Sequence, residues 1–455
     1  MSTDVMETLR KLSTKADEGS LELDTLDAYI SGKQPLSWLA PEVAASTAGR
    51  LRSMTVAWPR HCVSAVEERL DIQGFRTESE GKPDAGLWSL WQSSNMDEYS
   101  QQAHLDALIY GRSFAMVWAD QFGKPRITVE SPRQVYVERY PGSNVRKFDL
   151  KRWVEDEKGQ AVLFTPNRVY RFQTIGNVVP DAGIAVYGSG WRQVNSYPNP
   201  LGVVPVVPLV NRPRTLAPNG ESELADLLPL FDGINKLGTD LMVGAEFHAL
   251  PRRWATGIDI PEVKDPISGM PTGEVDTERV FSSLPGRVWL AESPEAKLGE
   301  FSGAELSGFG NAMASLTQSL GALSGLPPHY LGLHGDQPAS ADAIRSAEAS
   351  LVSKARRKQR VFGGAWEEVI RLASAIEHGS YNPGLSSLET VWADPETRTV
   401  AQAMDAAAKA VASGILHPDF AAEYYLGLSP TQIDRNRALR RRAAIDGAAI
   451  ETLRP

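Results

Sequence analysis

Two adjacent prolines set between two long apolar stripes constrain this chain more than any other feature. Leu306, Phe309, Met313, Leu316, Leu320 and Leu323 recur at spacings of three and four, the apolar face of an amphipathic helix. Pro327-Pro328 ends that helix, because proline lacks an amide hydrogen and its ring clashes with the preceding turn. A loop from His329 to Pro338 follows, and Ser340, a good N-cap residue, opens a second pattern. Ile344, Ala347, Leu351, Ala355, Phe362, Trp366, Val369, Ala373 and Ile376 share one face of it. At about 1.5 Å per residue this helix is on the order of 55 Å long, and Gly363-Gly364 is where a bend is expected.

The rest of the chain alternates in character. Residues 1 to about 70 read as mainly helical, with a stop at Ser31-Gly32-Lys33-Gln34-Pro35 and a helix over Cys62 to Leu70. Helical spacing returns over 85–115 through Leu87, Leu90, Trp91, Ala103, Leu105 and Leu108. After Tyr110-Gly111 the period shortens to two, and turn signals such as Pro141-Gly142-Ser143-Asn144 and Asp156-Glu157-Lys158-Gly159 divide short strands. An antiparallel, hairpin-rich sheet packed on helices is expected over 112–210. Its last run, Asn199 to Pro208, is too proline-rich for an inner strand and reads as an extended connector. A helix follows from Glu223 toward Leu250, then a turn-rich excursion over 258–303 punctuated by Pro261, Pro266, Pro271, Pro285 and Pro294. Beyond Pro383-Gly384 the chain is alanine-rich and helical.

Chemistry is sparse. The sequence holds no Walker A pattern, HExxH, CxxC or GxSxG, which weakens the ATPase, zinc-site and hydrolase readings, and no catalytic, cofactor or metal residue is assigned. His329, His334 and Asp336 share a loop but lack the further ligands a metal needs. The single cysteine, Cys62, excludes an intrachain disulfide and fits a reducing compartment. No basic, apolar leader is visible at the start, and no run approaches the roughly 20 apolar residues of a membrane span. Lys354, Arg356, Arg357, Lys358 and Arg360 form the strongest basic run; Arg435, Arg437, Arg440, Arg441 and Arg442 form another. On a helix the first run spreads around most of the circumference, so it reads as a solvated or subunit-bridging face more readily than as a nucleic-acid stripe. Trp88, Trp91 and Trp366 are placed in the core by their helix faces, whereas Trp254 and Trp289 flank the excursion.

The order helix, Ser324-Gly325-Leu326-Pro327-Pro328-His329-Tyr330-Leu331-Gly332-Leu333, long helix resembles the portal proteins of tailed bacteriophages, especially those of phages infecting actinobacteria. Ala57 to Leu70 with Gly74-Phe75, and Ser131 to Val137, are similar to the family's N-terminal and wing regions. The resemblance implies an α+β portal fold: an α/β wing over 1–222, a first stem helix over 223–257 and a clip over 258–303. A second stem helix over 304–324, a tunnel loop over 325–341, a long kinked helix over 342–380 and a helical crown over 381–455 would complete it.

By the same resemblance the chain is a virion protein at one capsid vertex, assembled in the host bacterial cytoplasm. Its ring would have twelve copies, with double-stranded DNA passing through the centre. Its partners would be the major capsid protein and scaffold, the terminase large subunit and the head–tail connector, with no membrane. The tunnel loop would present His329, Tyr330, Leu333, His334, Asp336 and Gln337. With no lysine or arginine among them, contact with DNA would be steric and weakly polar. A net charge of −9 suits a conduit, since each phosphate contact adds affinity and many would hold the DNA in place. The alternatives are a head structural or adaptor protein without a channel, and an enzyme with an unrecognised site.

Overall fold

The computed structural model describes residues 2–35, 55–77, 83–178, 190–249, 253–257, 262–275, 295–300, 306–333, 340–396 and 400–452. The chain forms two compact units, one of 1–35, 57–229 and 320–455, the other of 36–56 and 230–319.

The first unit opens with α1 (Ser2–Glu18) and α2 (Ser20–Ser31), which ends on Gly32 at φ 70. Helix α3 (Trp58–Glu67) starts four residues earlier than the apolar pattern suggests, because Pro59 suits the first helical turn, where no amide donor is needed. Strand β1 (Ile72–Arg76) follows, then α4 (Ala85–Ser93) and α5 (Met96–Tyr110). Asp84 caps α4 by accepting from the amides of Gly86 and Leu87, and Asn95 breaks the pair in the left-handed region.

Eight strands then form two antiparallel sheets. They are β2 (Arg112–Ala119), β3 (Pro125–Glu130), β4 (Val135–Arg139), β5 (Arg146–Glu155), β6 (Lys158–Phe164), β7 (Arg168–Thr174), β8 (Trp191–Pro198) and β9 (Val206–Val210). One sheet is the meander β4-β5-β6-β7-β8; the other has the order β3-β2-β9. The expected sheet over 112–210 is therefore present. Its proline-rich end is a correction: Val206–Val210 is a strand and not a connector. Its place at the sheet edge explains the tolerance, since Pro208 has no amide to offer an outer neighbour. Side chains alternate across the meander. Leu150, Ala161, Leu163 and Phe172 pack on Leu9 and Leu12 of α1, and Val135, Val137, Val162, Phe164 and Val169 pack on Phe114, Val204 and Val206. Each such fully buried leucine or phenylalanine is worth about 1.5–3 kcal/mol.

A second strand pair escaped the sequence reading. β14 (Glu389–Trp392) pairs with β1, joining two segments more than 300 residues apart. Beside it runs α8 (Ala341–His378), whose hydrogen-bonded helix is unbroken through Gly363-Gly364. The service Gly363 renders here is close approach: an added Cβ would lie 3.2 Å from Trp392 Nε1, and Thr390 donates its hydroxyl to the Gly363 carbonyl. Trp91 and Trp366 meet edge-on at 5.0 Å in the core, both fully buried as their helix faces suggested. α9 (Val400–Ala412), α10 (Pro418–Leu426) and α11 (Pro430–Thr452) complete the unit.

The second unit contains most of α6 (Leu228–Ala249) and α7 (Ser307–Ser324). α6 begins later than Glu223, because the segment before it turns inward and Glu223 is buried. A Cβ on Gly233 would lie 3.0 Å from Leu316, and one on Gly244 3.0 Å from Leu306. Advancing along α6 thus means retreating along α7, so the two helices are antiparallel and leucines fill the glycine notches. Among its described residues the intervening excursion holds two small antiparallel pairs, β10 (Arg253–Thr256) with β13 (Lys297–Glu300) and β11 (Glu262–Lys264) with β12 (Pro271–Val275). Trp254 lies across Gly299 and remains partly exposed; Trp289 lies outside the described residues.

Candidate functional site

The break between α7 and α8 is held rigidly at its entry. Gly325 takes φ 74, and its amide donates to the Gly321 carbonyl at 2.9 Å, a left-handed helix ending. Pro327 is extended, Pro328–Leu331 forms one 3-10 turn, and Gly332 closes it at φ 71. Leu326 and Leu331 are buried. Leu331 occupies the notch at Gly321, where a Cβ would lie 2.9 Å away.

Tyr330 anchors this turn. Its hydroxyl accepts from Arg69 Nη2 at 3.0 Å and donates to Glu348 Oε1 at 3.4 Å. Its carbonyl is 3.0 Å from His61 Nε2. The Arg69 guanidinium stands over its ring at 5.8 Å and pairs with Glu348 at 3.7 Å, with both charged side chains largely buried. His329 stacks edge-on against Tyr330 and lies 3.7 Å from Glu348. Tyr330 is thus a strut to α3 and α8. His329 and Leu333 are half-buried, and His334, Asp336 and Gln337 lie outside the described residues.

The basic run divides by face. Lys358 is buried and donates to Glu223 and to Asn211 Oδ1. Lys354 donates to Glu223 Oε2 at 2.8 Å and to the Ser324 carbonyl, the last of α7, at 2.7 Å. Burial alone would raise the Glu223 carboxyl, but the two ammonium groups hold it at about 2. Lys358 is drawn below its ordinary range by burial, which Glu223 opposes. Lys354 and Lys358, expected on a subunit-bridging or nucleic-acid face, are both paired inside this chain. A buried cation is tolerable only when paired, and Glu223 supplies the pair. Arg356 pairs with Asp394 at 3.4 Å at the surface, and Arg357 and Arg360 are exposed. In α11, Arg437 pairs with Asp419 at 2.7 Å, while Arg435, Arg440, Arg441 and Arg442 are exposed.

Sequence reasoning missed Arg69, His61, Glu348 and Glu223. One signal was present: Lys358 stands seven residues after Leu351 and four before Phe362, both on the apolar face, so its inward direction was readable. Its partner, far away in sequence, was not. Among the described residues no group of three or more metal-ligating side chains occurs, and no helix is long and apolar enough to cross a membrane.

The family model described as "Phage portal protein, SPP1 Gp6-like" matches residues 15–435. The chain is 34% identical over 377 residues to the "Portal protein" of Mycobacterium phage D29, covering 79% of this chain and 73% of that one. It is 36% identical over 378 residues to the "Portal protein" of Mycobacterium phage L5, with the same coverage. Among solved structures it is similar to a chain from the virion of a native gene transfer agent particle, with TM-score 0.46, 13% identity and coverage of 89% and 99%. Another, from the neck of the native particle computed with C12 symmetry, gives 0.44, 15%, 84% and 96%.

Proposed function

Because the chain belongs to the SPP1 Gp6-like phage portal protein family, we propose that it closes into a ring, with twelve copies expected, and serves as the DNA conduit of one capsid vertex. The observation that carries the ring is the unfinished burial of α7. Phe309, Met313 and Leu316 form its apolar stripe, yet in the single chain none of them is buried, and Met242 of α6 is 43% exposed. Packing the stripe against the next copy around a closed rotation would finish that burial without leaving an open end.

In this reading the excursion over 258–303 docks the terminase large subunit during packaging and the head–tail connector afterwards. The wing meets the major capsid protein and scaffold, and the ring assembles in the host cytoplasm before residing in the virion. The 325–341 loop faces the axis, where His334, Asp336 and Gln337 touch moving DNA while Tyr330 braces the loop's root. The fixed entry through Pro327 and Pro328 supports that division of labour. Sedimentation of the purified chain tests the ring. A single species of about a dozen copies is expected. A monomer at micromolar concentration that stays monomeric with scaffold and capsid protein would contradict it.

A further inference from the structure

A groove of about 880 Å³ opens between the β4–β5 turn, Tyr140 to Asn144, and the segment from Pro213 to Asn219. Its charge is out of balance. Lys15, Arg139, Arg146 and Arg214 line it against only two carboxylates, Glu138 and Glu368. Lys11 and Lys15 both engage Glu138, Arg146 holds Glu368 at 2.6 Å, and Arg214 pairs with Glu221 outside the groove lining. Arg139 is left over. Among the described residues no carboxylate lies within ion-pair distance of it, and its hydrogen-bond partner is Asn219 Oδ1 at a long 3.5 Å. Asp149 lies close by but does not compensate: full burial pushes its carboxyl up to about 8, which leaves it neutral at neutral pH. A half-buried guanidinium without a counter-ion favours an incoming anion.

The opposite end of the same strand presents one. β5 runs ten residues from Arg146 to Glu155, about 30 Å at about 3.4 Å per residue. It ends in the exposed tip Glu155-Asp156-Glu157 of the β5–β6 hairpin. Groove and tip are thus fixed at the two ends of one strand in one sheet, an arrangement suited to head-to-tail contact between copies. We propose that this groove receives the β5–β6 tip of a second copy of the chain, with Glu155 and Asp156 of that copy neutralising Arg139. The inference rests on the ring reading and names one of the contacts that would close it. Phosphate of duplex DNA is the weaker occupant, because a single uncompensated arginine offers little counterion release.

The test is a charge swap in the full-length chain. Arg139→Glu alone, and Glu155→Lys with Asp156→Asn alone, should each raise the concentration for half-assembly at least tenfold in sedimentation. Asparagine tolerates the left-handed backbone at position 156 as aspartate does. Unchanged far-ultraviolet circular dichroism and melting of the monomers would separate lost contact from misfolding. Combining both changes should restore assembly to within about threefold of the original chain. Single variants that assemble normally, or a combination no better than its parts, would overturn the contact while leaving the ring intact. Normal assembly with poorer retention of packaged DNA would mean that the groove reads phosphate, and would overturn it too. A chain that never forms rings, before any substitution, would remove the ring reading and this inference together.

Discussion

Glu223 is the residue on which the interior charge balance turns. It neutralises Lys354 and Lys358 and, through Lys354, ties the end of α7 to α8. Glu223→Ala would strand two ammonium groups and should cost ~3–5 kcal/mol, read as a lower urea midpoint. Its carboxyl is depressed to about 2 from an ordinary 4.5. The stability it contributes is therefore complete above pH 4.5 and is lost as pH falls through about 2. His104 adds an earlier acid loss. Fully buried, accepting from Trp366 Nε1 at 2.8 Å, its imidazole is pushed by burial down to about 3 from 6.5. Below pH 6.5 the unfolded chain takes up that proton and the folded one does not. Asp149 runs the other way, raised from 3.8 to about 8, so its contribution is present at low pH and fades as pH rises through about 8. Asp149→Asn should gain on the parent chain as pH climbs from 4 to 8 in denaturation series; a gap independent of pH would contradict the assignment.

At the scale of elements, the turn between β5 and β6 is held at a local cost. Asp156 and Glu157 both take positive φ, 48 and 58, the geometry that glycine or asparagine adopts freely. Glu157→Gly should raise the thermal midpoint, by an amount set by ~1 kcal/mol, less the exposed Asn177 hydrogen bond that it gives up. Tyr330→Phe removes the bonds to Arg69 and Glu348 and should cost ~1–3 kcal/mol. The loop substitutions His334→Ala, Asp336→Ala and Gln337→Ala should leave assembly intact and change packaging rate or DNA retention. Unchanged packaging would contradict their place at the axis. Much at this scale was legible beforehand, because period and punctuation carry it. The helix–proline–helix order, the switch to strands at Gly111 and the turns at Pro141 and Asp156 all stand in the structure. What was not legible depends on partners far apart in sequence. β1 is five residues long and finds β14 more than 300 residues later, Val206–Val210 is a strand only because β2 lies beside it, and the partner that the inward-facing Lys358 meets, Glu223, stands 135 residues earlier. Local pattern cannot supply those partners.

At the scale of the molecule, the chain joins a well-packed α/β unit to a helical pair whose apolar faces are left half-open. That asymmetry is what a ring subunit requires, with one part stable alone and another completed by its neighbours. Replacing 258–303 by a short Gly-Ser linker should leave the first unit folded, since few apolar side chains there could serve a distant core, while abolishing terminase docking. Normal packaging by such a deletion would contradict the docking role. The central claim, that copies of this chain surround a channel for DNA, is met most directly by electron microscopy of the purified assembly viewed along its axis. A closed ring of about twelve copies with an axial opening that admits duplex DNA is expected. Monomers, open filaments or a ring with no opening would contradict it.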